Sequence, residues 1–270
     1  MTLLKYPRTR HLEGSRLQIG DKADDKPLAE LKGSPLVVEE KLDGANSGIS
    51  FNSSGALQLQ SRGHYLQGGG RERHFALLKT WAATHAHRLL PVLQDRYVMY
   101  GEWLYAKHTV FYDALSHYFF EFDVYDRQTA NFLSTSARRT LLEGLPIMPV
   151  PVLKTAEIQS QKELLSLVQP SLYKSPDWRV ALVETAQANS LDAEEVSQKT
   201  EDSDLAEGLY LKQESGDRVL DRFKFVRGDF LQAILDSDDH WHSRPILPNQ
   251  LKSGVDIFAP RLALEGAYDA

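Results

Sequence analysis

Residues 35–46 read PLVVEEKLDGAN, and this stretch decides how the rest of the chain is interpreted. Its first six residues predict a β-strand, because adjacent valines after a leucine favour extended backbone. The dipeptide Asp43-Gly44 is a turn signal, so the strand is expected to end near Lys41. The sequence therefore predicts a lysine at the end of an apolar strand, beside a tight turn.

Two carboxylates precede this lysine. Strand alternation places Glu39 on the same face as Lys41 and Glu40 on the opposite face. Taken alone, a lysine in this setting is typical of an edge strand with a charged surface. A chemical role requires further residues elsewhere in the chain.

The composition limits the classes of protein to consider. The chain has 270 residues and no cysteine, which excludes disulfides, cysteine-ligated zinc, iron–sulfur clusters and a cysteine nucleophile. Its formal charge is −6, so nucleic acid would have to bind through a local basic patch. The N-terminus lacks a signal-peptide pattern and no apolar run approaches the roughly 20 residues that span a bilayer. We therefore expect a cytoplasmic protein that does not bind membranes.

The remaining elements indicate an α+β fold, because strands come in antiparallel runs with helices between them and not in regular βαβ alternation. Helices are predicted over about 73–93, over 134–142 with Ser134 as N-cap and Gly144 just past the end, and from about Asp229. Residues 156–200 are mostly helical in character, and we predict an insertion or cover over about 156–204. Further strands are predicted at 47–51, 57–61, 97–102, 118–125, 208–212 and 222–225.

Five further motifs follow the lysine in order. They are Ser61-Arg62-Gly63, Gly101-Glu102-Trp103, Phe120-Glu121-Phe122-Asp123, Glu207-Gly208-Leu209-Tyr210-Leu211-Lys212 and Phe223-Lys224-Phe225-Val226-Arg227. This series resembles the covalent nucleotidyl transferase superfamily, which contains ATP-dependent RNA and DNA ligases and mRNA capping enzymes. It is most similar to the RNA ligases of the double-strand-sealing type and their bacterial relatives, over about residues 35 to 230.

The resemblance implies a nucleotidyl transferase (ATP-grasp-like ligase adenylation) fold, with two antiparallel sheets flanked by helices and ATP held in the groove between them. It also implies a three-step reaction. A lysine takes AMP from ATP, AMP passes to a 5′-phosphate end, and a 3′-hydroxyl attacks that end. The implied cofactors are ATP and Mg²⁺ or Mn²⁺, and the implied partner is RNA with 5′-phosphate and 3′-hydroxyl ends.

The resemblance assigns roles to particular positions. Lys41 matches the nucleophile, Glu39 or Glu40 would contact the adenine edge, and Phe122 matches the aromatic residue that stacks on adenine. Glu207 would hold the metal through water. The remaining matches to the nucleotide site are Asp43, Gly44, Asn46, Arg62 near the ribose and phosphate, Glu102 at the ribose, Lys212, Lys224 at the α-phosphate, and Arg227.

The chemistry sets an electrostatic requirement at this lysine. A lysine nucleophile must lose its proton, and Glu39 and Glu40 would favour the charged form. We therefore expect cations to offset them, namely a divalent metal helped by Arg62, Lys212 and Lys224. Relatives commonly carry Lys-x-Lys in the last motif, whereas this chain has Arg222-Phe223-Lys224 and then Arg227. Either Arg227 or Arg222 would replace the second cation.

Two further groups have open roles. The N-terminal cations Lys5, Arg8, Arg10 and His11, interleaved with Tyr6, are either a phosphate-backbone contact or a solvated tail. His108, six residues after Glu102, either lies near the groove or has a structural role.

The leading hypothesis is an ATP-dependent RNA ligase in a single domain over 1–270. The alternatives are DNA nick sealing, GTP-dependent capping and a catalytically silent nucleic-acid-binding module. Capping enzymes and most DNA ligases append an oligonucleotide-binding barrel after the last motif, and only residues 228–270 remain here. Five strands with their connections hardly fit there, so a short C-terminal cap over about 236–270 is predicted instead.

Overall fold

A computed structural model describes residues 3–17, 25–230 and 245–259 of the chain. Within these residues two six-stranded β-sheets face each other, with helices packed around them. The strands are β1 (Arg10–Leu12), β2 (Asp25–Lys26), β3 (Leu36–Lys41), β4 (Ala45–Phe51), β5 (Leu57–Ser61), β6 (Tyr97–Trp103), β7 (Phe119–Asp126), β8 (Asn131–Phe132), β9 (Met148–Pro149), β10 (Val152–Ala156), β11 (Gly208–Ser215) and β12 (Arg218–Val226). The α-helices are α1 (Ala76–Leu93), α2 (Thr135–Leu142), α3 (Gln161–Ser166), α4 (Trp178–Ala188) and α5 (Ala193–Gln198), and short 3-10 helices cover Leu28–Leu31 and Gly70–Phe75.

The first sheet has the strand order β10-β3-β11-β12-β1-β2. β3 lies between β10 and β11 and pairs antiparallel with β11, which places Lys41 opposite Gly208. One face of this sheet packs against the 3-10 helix Leu28–Leu31 and against helix α3. The apolar cluster between them includes Leu36, Val38 and Leu209. The opposite face, which carries Glu39, is turned toward the second sheet, as strand alternation requires.

The second sheet has the order β5-β4-β6-β7-β8, and β9 pairs with β7. Helix α1 covers it, and Leu78, Trp81 and Leu89 of this helix are completely buried in the main core. The packing explains why the periodic apolar residues over 73–93 form a helix. Both sheets are mainly antiparallel, but β1 pairs in parallel with β12 and β2, and β9 pairs in parallel with β7. The predicted α+β fold with two mainly antiparallel sheets is confirmed, and the parallel pairs involve only short strands.

Local signals in the sequence correspond closely to the helix and strand ends. The strand predicted at 57–61 has those bounds, and α2 begins after Ser134, whose Oγ accepts a hydrogen bond from the Ala137 amide. Gly144, just past α2, has a φ of +75°, a conformation that glycine adopts without strain. The helix predicted from about Asp229 and the cap over 236–270 lie largely outside the described residues.

Three helices occupy the segment predicted as an insertion. α3, α4 and α5 lie within 156–204, and Trp178 and Leu182 of α4 pack against Phe111 and Leu247 in a small separate core. Among the described helices, none is long and apolar enough to cross a membrane.

Candidate active site

Lys41 lies at the last position of β3. Its Nζ donates a hydrogen bond to Glu207 Oε2 at 2.6 Å. Glu207 immediately precedes β11, and the pairing of Lys41 with Gly208 holds the two side chains together. A Cβ at residue 208 would lie 1.9 Å from the Phe225 carbonyl oxygen, so this close strand pairing requires glycine.

Hydrogen bonds between carboxylate oxygens and backbone amides hold the Asp43-Gly44 turn in place. Asp43 Oδ2 accepts hydrogen bonds from the amides of Thr109 and Val110, at 2.7 and 2.8 Å. The Gly44 amide donates to Glu102 Oε1 at 3.1 Å. A Cβ at Gly44 would lie 2.5 Å from a Leu104 methyl carbon, so the turn has no space for a side chain. Asp43 thus anchors the loop after β6 beside Lys41.

Glu102 and Asn46 face each other across the β4–β6 pairing. They lie on the second sheet, and Glu102 is close enough to Lys41 for the two charges to influence each other. Burial raises the pKa of Glu102 to about 7, against the opposing attraction of Lys41 and of Arg62, which is exposed on the loop after β5. The structure therefore brings together Lys41, Asp43, Glu102 and Glu207, with Asn46 and Arg62 beside them.

Carboxylates keep Lys41 protonated. Burial opposes its charge, but the attraction of Glu207, Asp43 and Glu102 outweighs burial and raises the pKa of Lys41. Burial also raises the pKa of Glu207 to about 7, against the opposing attraction of Lys41. The two directions are compatible, because the Glu207 side chain is 1% exposed whereas that of Lys41 is 23% exposed. Burial therefore costs the carboxylate more than it costs the ammonium.

The expected electrostatic problem exists, but its source differs from the prediction. Glu39 is buried between the sheets and pairs with Arg138 and Lys212. Glu40 faces the other side, where its carboxylate accepts hydrogen bonds from Ser171 Oγ at 2.5 Å and from the Leu172 amide at 3.2 Å. Burial raises the pKa of Glu40 to about 7. The alternation is confirmed, and both carboxylates are already bound by protein groups.

Lys212 differs from the expectation that it offsets charge at Lys41. Its side chain is completely buried, and its Nζ lies 3.0 Å from a Glu39 carboxylate oxygen and 3.2 Å from Asp123 Oδ1. It also donates to the Phe122 carbonyl oxygen. Lys212 therefore belongs to an ionic network between the sheets, because residue 212 lies four positions along β11 from Gly208.

Phe122 is half-buried within an aromatic cluster between the sheets. Its ring centroid lies 5.2 Å from that of Tyr6 and 6.0 Å from that of Tyr210. Tyr6 is buried, and its hydroxyl donates to Asp123 Oδ2 at 2.5 Å. The Phe122 side chain is accordingly partly accessible, with Tyr6 packed edge-on against it.

The cations of the last motif divide between the site and the scaffold. The charge of Lys224 acts on Glu207 and lowers its pKa. Arg222 pairs with Asp123 at 3.3 Å in the network between the sheets. Arg227 is buried and pairs with Glu201 at 2.8 Å and Asp229 at 2.9 Å. Lys224 thus acts on a carboxylate beside Lys41, whereas Arg222 and Arg227 are held in ion pairs with protein carboxylates.

The N-terminal residues are not a solvated tail. Tyr6 is buried, His11 bonds to Ser15 Oγ at 2.7 Å, and β1 extends the first sheet. His108 lies near the groove, because its charge state responds to Asp43 and Lys41, and burial lowers its pKa. The solvated-tail alternative is therefore wrong, and the groove alternative for His108 is favoured.

The carboxylates near Lys41 suit a hydrated divalent cation better than an enclosed one. Within the described ranges, no three His, Cys, Asp or Glu side chains are arranged to hold a metal ion. Mg²⁺ usually keeps several waters and binds through one or two carboxylates together with substrate phosphates. Glu207 fits that mode of binding.

Several residues that organise the site were not predicted. Arg138 bridges Glu39 and Glu121, and Tyr112 Oη accepts the Asp43 amide hydrogen bond at 2.9 Å. Their partners lie far away in the sequence, so no local spacing could reveal them. The one available signal was the Phe122-Asp123 pair, since Asp123 holds both Tyr6 and Lys212.

Two facing sheets with a cluster of carboxylates around Lys41 agree with the fold that the sequence resemblance implies. The RNA ligase family model matches residues 34–226, which is most of the chain. This protein therefore belongs to the RNA ligase family. No curated protein sequence matches it significantly.

Solved structures of an RNA ligase from Naegleria gruberi are similar to the chain. A lysine-to-alanine variant with ATP and Mn is 19% identical, with a TM-score of 0.48, covering 81% of this chain and 59% of that one. A glutamate-to-alanine variant with ATP and Mn is also 19% identical, with a TM-score of 0.49, covering 84% and 63%. A complex with PPi is 19% identical, with a TM-score of 0.47, covering 84% and 61%. The chain thus spans about three fifths of the length of these relatives.

Proposed function

We propose that the protein is an ATP-dependent RNA ligase that joins 5′-phosphate and 3′-hydroxyl ends through a lysyl-AMP intermediate on Lys41. The observation that carries this proposal is the placement of Lys41 Nζ 2.6 Å from Glu207 Oε2, with Glu102 and Asp43 beside it. Membership of the RNA ligase family over residues 34–226 supports it.

The first step forms a bond between Lys41 Nζ and the α-phosphorus of ATP, and breaks the bond from that phosphorus to the bridging oxygen. Pyrophosphate leaves with the bond electrons. The amine must first lose a proton, and Glu207 is the acceptor already in contact with it. Because Glu207 has a pKa of about 7, it can hold that proton near neutral pH.

The next two steps transfer the nucleotide and close the strand. A 5′-phosphate oxygen attacks the adenylyl phosphorus, and the bond to Lys41 breaks. A 3′-hydroxyl oxygen then attacks the activated 5′-phosphorus, and AMP departs. A divalent cation held through Glu207 would supply positive charge against the phosphate oxygens. Phe122, half-buried in the groove, is the residue we assign to stacking on adenine.

Incubation with α-labelled ATP or α-labelled GTP, followed by denaturing electrophoresis, tests the proposal. We expect label from ATP alone, released by acid as expected for a phosphoramidate. Lys41→Ala and Lys41→Arg should both take no label, since guanidinium stays protonated and is no nucleophile. The exposed Lys199, changed to alanine, is the matched control and should label as the parent does.

The outcomes separate the alternatives. Label from GTP would favour a capping-type reaction, and no label would favour a silent nucleic-acid-binding module. Sealing of an all-DNA nick as rapidly as an RNA nick, at matched ATP and magnesium, would favour a DNA ligase.

A further inference from the structure

The segment that follows β5 has a charge opposite to that of the chain. Residues 62–75 contain three arginines and a single acidic residue, Glu72, whereas the whole chain carries a formal charge of −6. Arg62 and Arg73 are exposed, and the His64 side chain is 56% exposed. A basic surface therefore exists on an acidic protein.

Glu72 does not neutralise this surface, because its carboxylate is used inside the loop. It is buried, and it accepts hydrogen bonds from the Gln67 amide at 3.2 Å and the Gly68 amide at 2.8 Å. It also pairs with Lys79, and the His64 Nε2 atom lies 3.9 Å away. Glu72 thus shapes the loop and leaves the charges of Arg62 and Arg73 facing solvent.

The basic segment borders the candidate active site at both of its ends. It begins after Ser61, which pairs with Ser47, the neighbour of Asn46 on β4. At its other end, the His74 carbonyl accepts a hydrogen bond from Trp103 Nε1 at 2.7 Å, next to Glu102. The loop over 62–75 is therefore fixed to the strand ends that carry Asn46 and Glu102.

The tip of the loop has an accessible backbone. Gly68 and Gly69 have φ values of +116° and +114°, which other residues rarely adopt. A Cβ placed at either position, or at Gly70, would meet no atom within 4 Å. Glycine is needed here for backbone conformation, and the open space allows a phosphate to approach the chain closely.

We propose that the exposed surface of residues 62–75, which includes Arg73, binds the phosphodiester backbone of the RNA strand that adjoins the reacting ends. The argument is charge complementarity. Exposed cations attract the phosphates of a nucleic acid, and this surface adjoins Glu102, the carboxylate neighbour of Lys41. The inference rests on the proposed function and adds the surface that grips the substrate.

The test measures binding of a fluorescein-labelled single-stranded RNA to the whole protein by anisotropy, without ATP, between about 50 and 200 mM salt. Arg73→Glu should weaken binding several-fold at low salt and reduce the slope of log K against log salt by about 0.7. Arg218→Glu is the matched control. Arg218 is exposed and pairs with Ser215, at the end of β11 remote from Gly208, about 23 Å along the strand.

Equal binding and equal salt slopes for the two variants would overturn the proposal. Displacement of the RNA by polyglutamate as effectively as by polyuridylate would also overturn it and would indicate an acidic protein partner. Labelling with ATP separates the two levels of inference. Arg73→Glu should accept AMP on Lys41 as the parent protein does. Absence of label in the parent protein would refute the enzymatic function, and the RNA-binding measurement would then test the proposed surface by itself.

Discussion

Replacing Glu207 with glutamine should lower the pKa of Lys41 substantially. The two side chains are 2.6 Å apart and the carboxylate is 1% exposed. An opposite charge at such range moves a pKa by about 1–3 units, or about 1.4–4 kcal/mol. Because the pKa of Lys41 is raised in the folded protein, the stabilisation is complete below the unfolded pKa of about 10.4 and is lost as pH rises through the folded value.

The assay is reductive methylation with ¹³C-formaldehyde followed by NMR titration of the dimethyl-lysine signals above neutral pH. The signal of Lys41 is identified by its loss in Lys41→Arg. We expect Glu207→Gln to move that signal's midpoint downward by about 1–3 pH units, while adenylylation still falls because the contacting proton acceptor is lost.

A second ion pair provides the control. Lys199 lies 2.7 Å from Glu195, but the side chains are 50% and 62% exposed. Solvent screens this pair, so Glu195→Gln removes an exposed carboxylate and serves as the matched variant in the titration of Lys41. An unchanged midpoint for Lys41 in Glu207→Gln, or an equal shift of that midpoint in Glu195→Gln, would refute the claim that the buried carboxylate keeps Lys41 charged.

Three further predictions concern the groove, the scaffold and the substrate. Phe122→Ala should weaken ATP use by about 1–3 kcal/mol while Phe122→Tyr retains most of it, and a thermal melt beside the labelling assay detects simple unfolding. Glu40 has a pKa of about 7 in the folded protein against an ordinary 4.5, so the free energy of unfolding should fall as pH rises between those values. Glu40→Gln should remove this fall of about 3 kcal/mol, as measured by urea unfolding at pH 5 and pH 8. A nick with ribonucleotides only on the 3′-hydroxyl side should be sealed better than one with ribonucleotides only on the 5′-phosphate side, since the 2′-hydroxyl distinguishes RNA from DNA. Equal sealing of both nicks would contradict this.

Short-range signals in the sequence predicted the fold well. β3, β5 and α2 are defined by residues within a few positions of their ends, such as the N-cap Ser134. The edge strands β1, β2, β8 and β9 have two or three residues each, too few for any periodicity to be visible. They form because longer strands offer free edges, which is tertiary information.

The candidate site was likewise predicted only in part from the sequence. The order of motifs was sufficient to associate Lys41 with Glu102 and Glu207, and the structure brings these residues together. It was not sufficient for Lys212 or Arg227, since strand register and burial decide where such side chains lie. A motif specifies a residue type at a position, but whether that charge faces a ligand or another protein charge depends on residues far away in the chain.

The opposite polarities of the site and the adjoining loop lead to a prediction about magnesium. Asp43, Glu102 and Glu207 surround Lys41 with negative charge, which repels the triphosphate and keeps the amine protonated. The basic loop around Arg73 has no such barrier and meets phosphates directly. Removal of divalent cations with EDTA should therefore abolish AMP transfer to Lys41 while leaving RNA binding nearly unchanged at constant ionic strength. Glu207→Ala should shift the magnesium dependence of adenylylation more than Glu102→Ala does, because only Glu207 contacts the ammonium that the cation must displace. Parallel loss of RNA binding and adenylylation in EDTA would mean that the cation organises the whole surface, and identical magnesium titrations for the two variants would remove the metal role from Glu207.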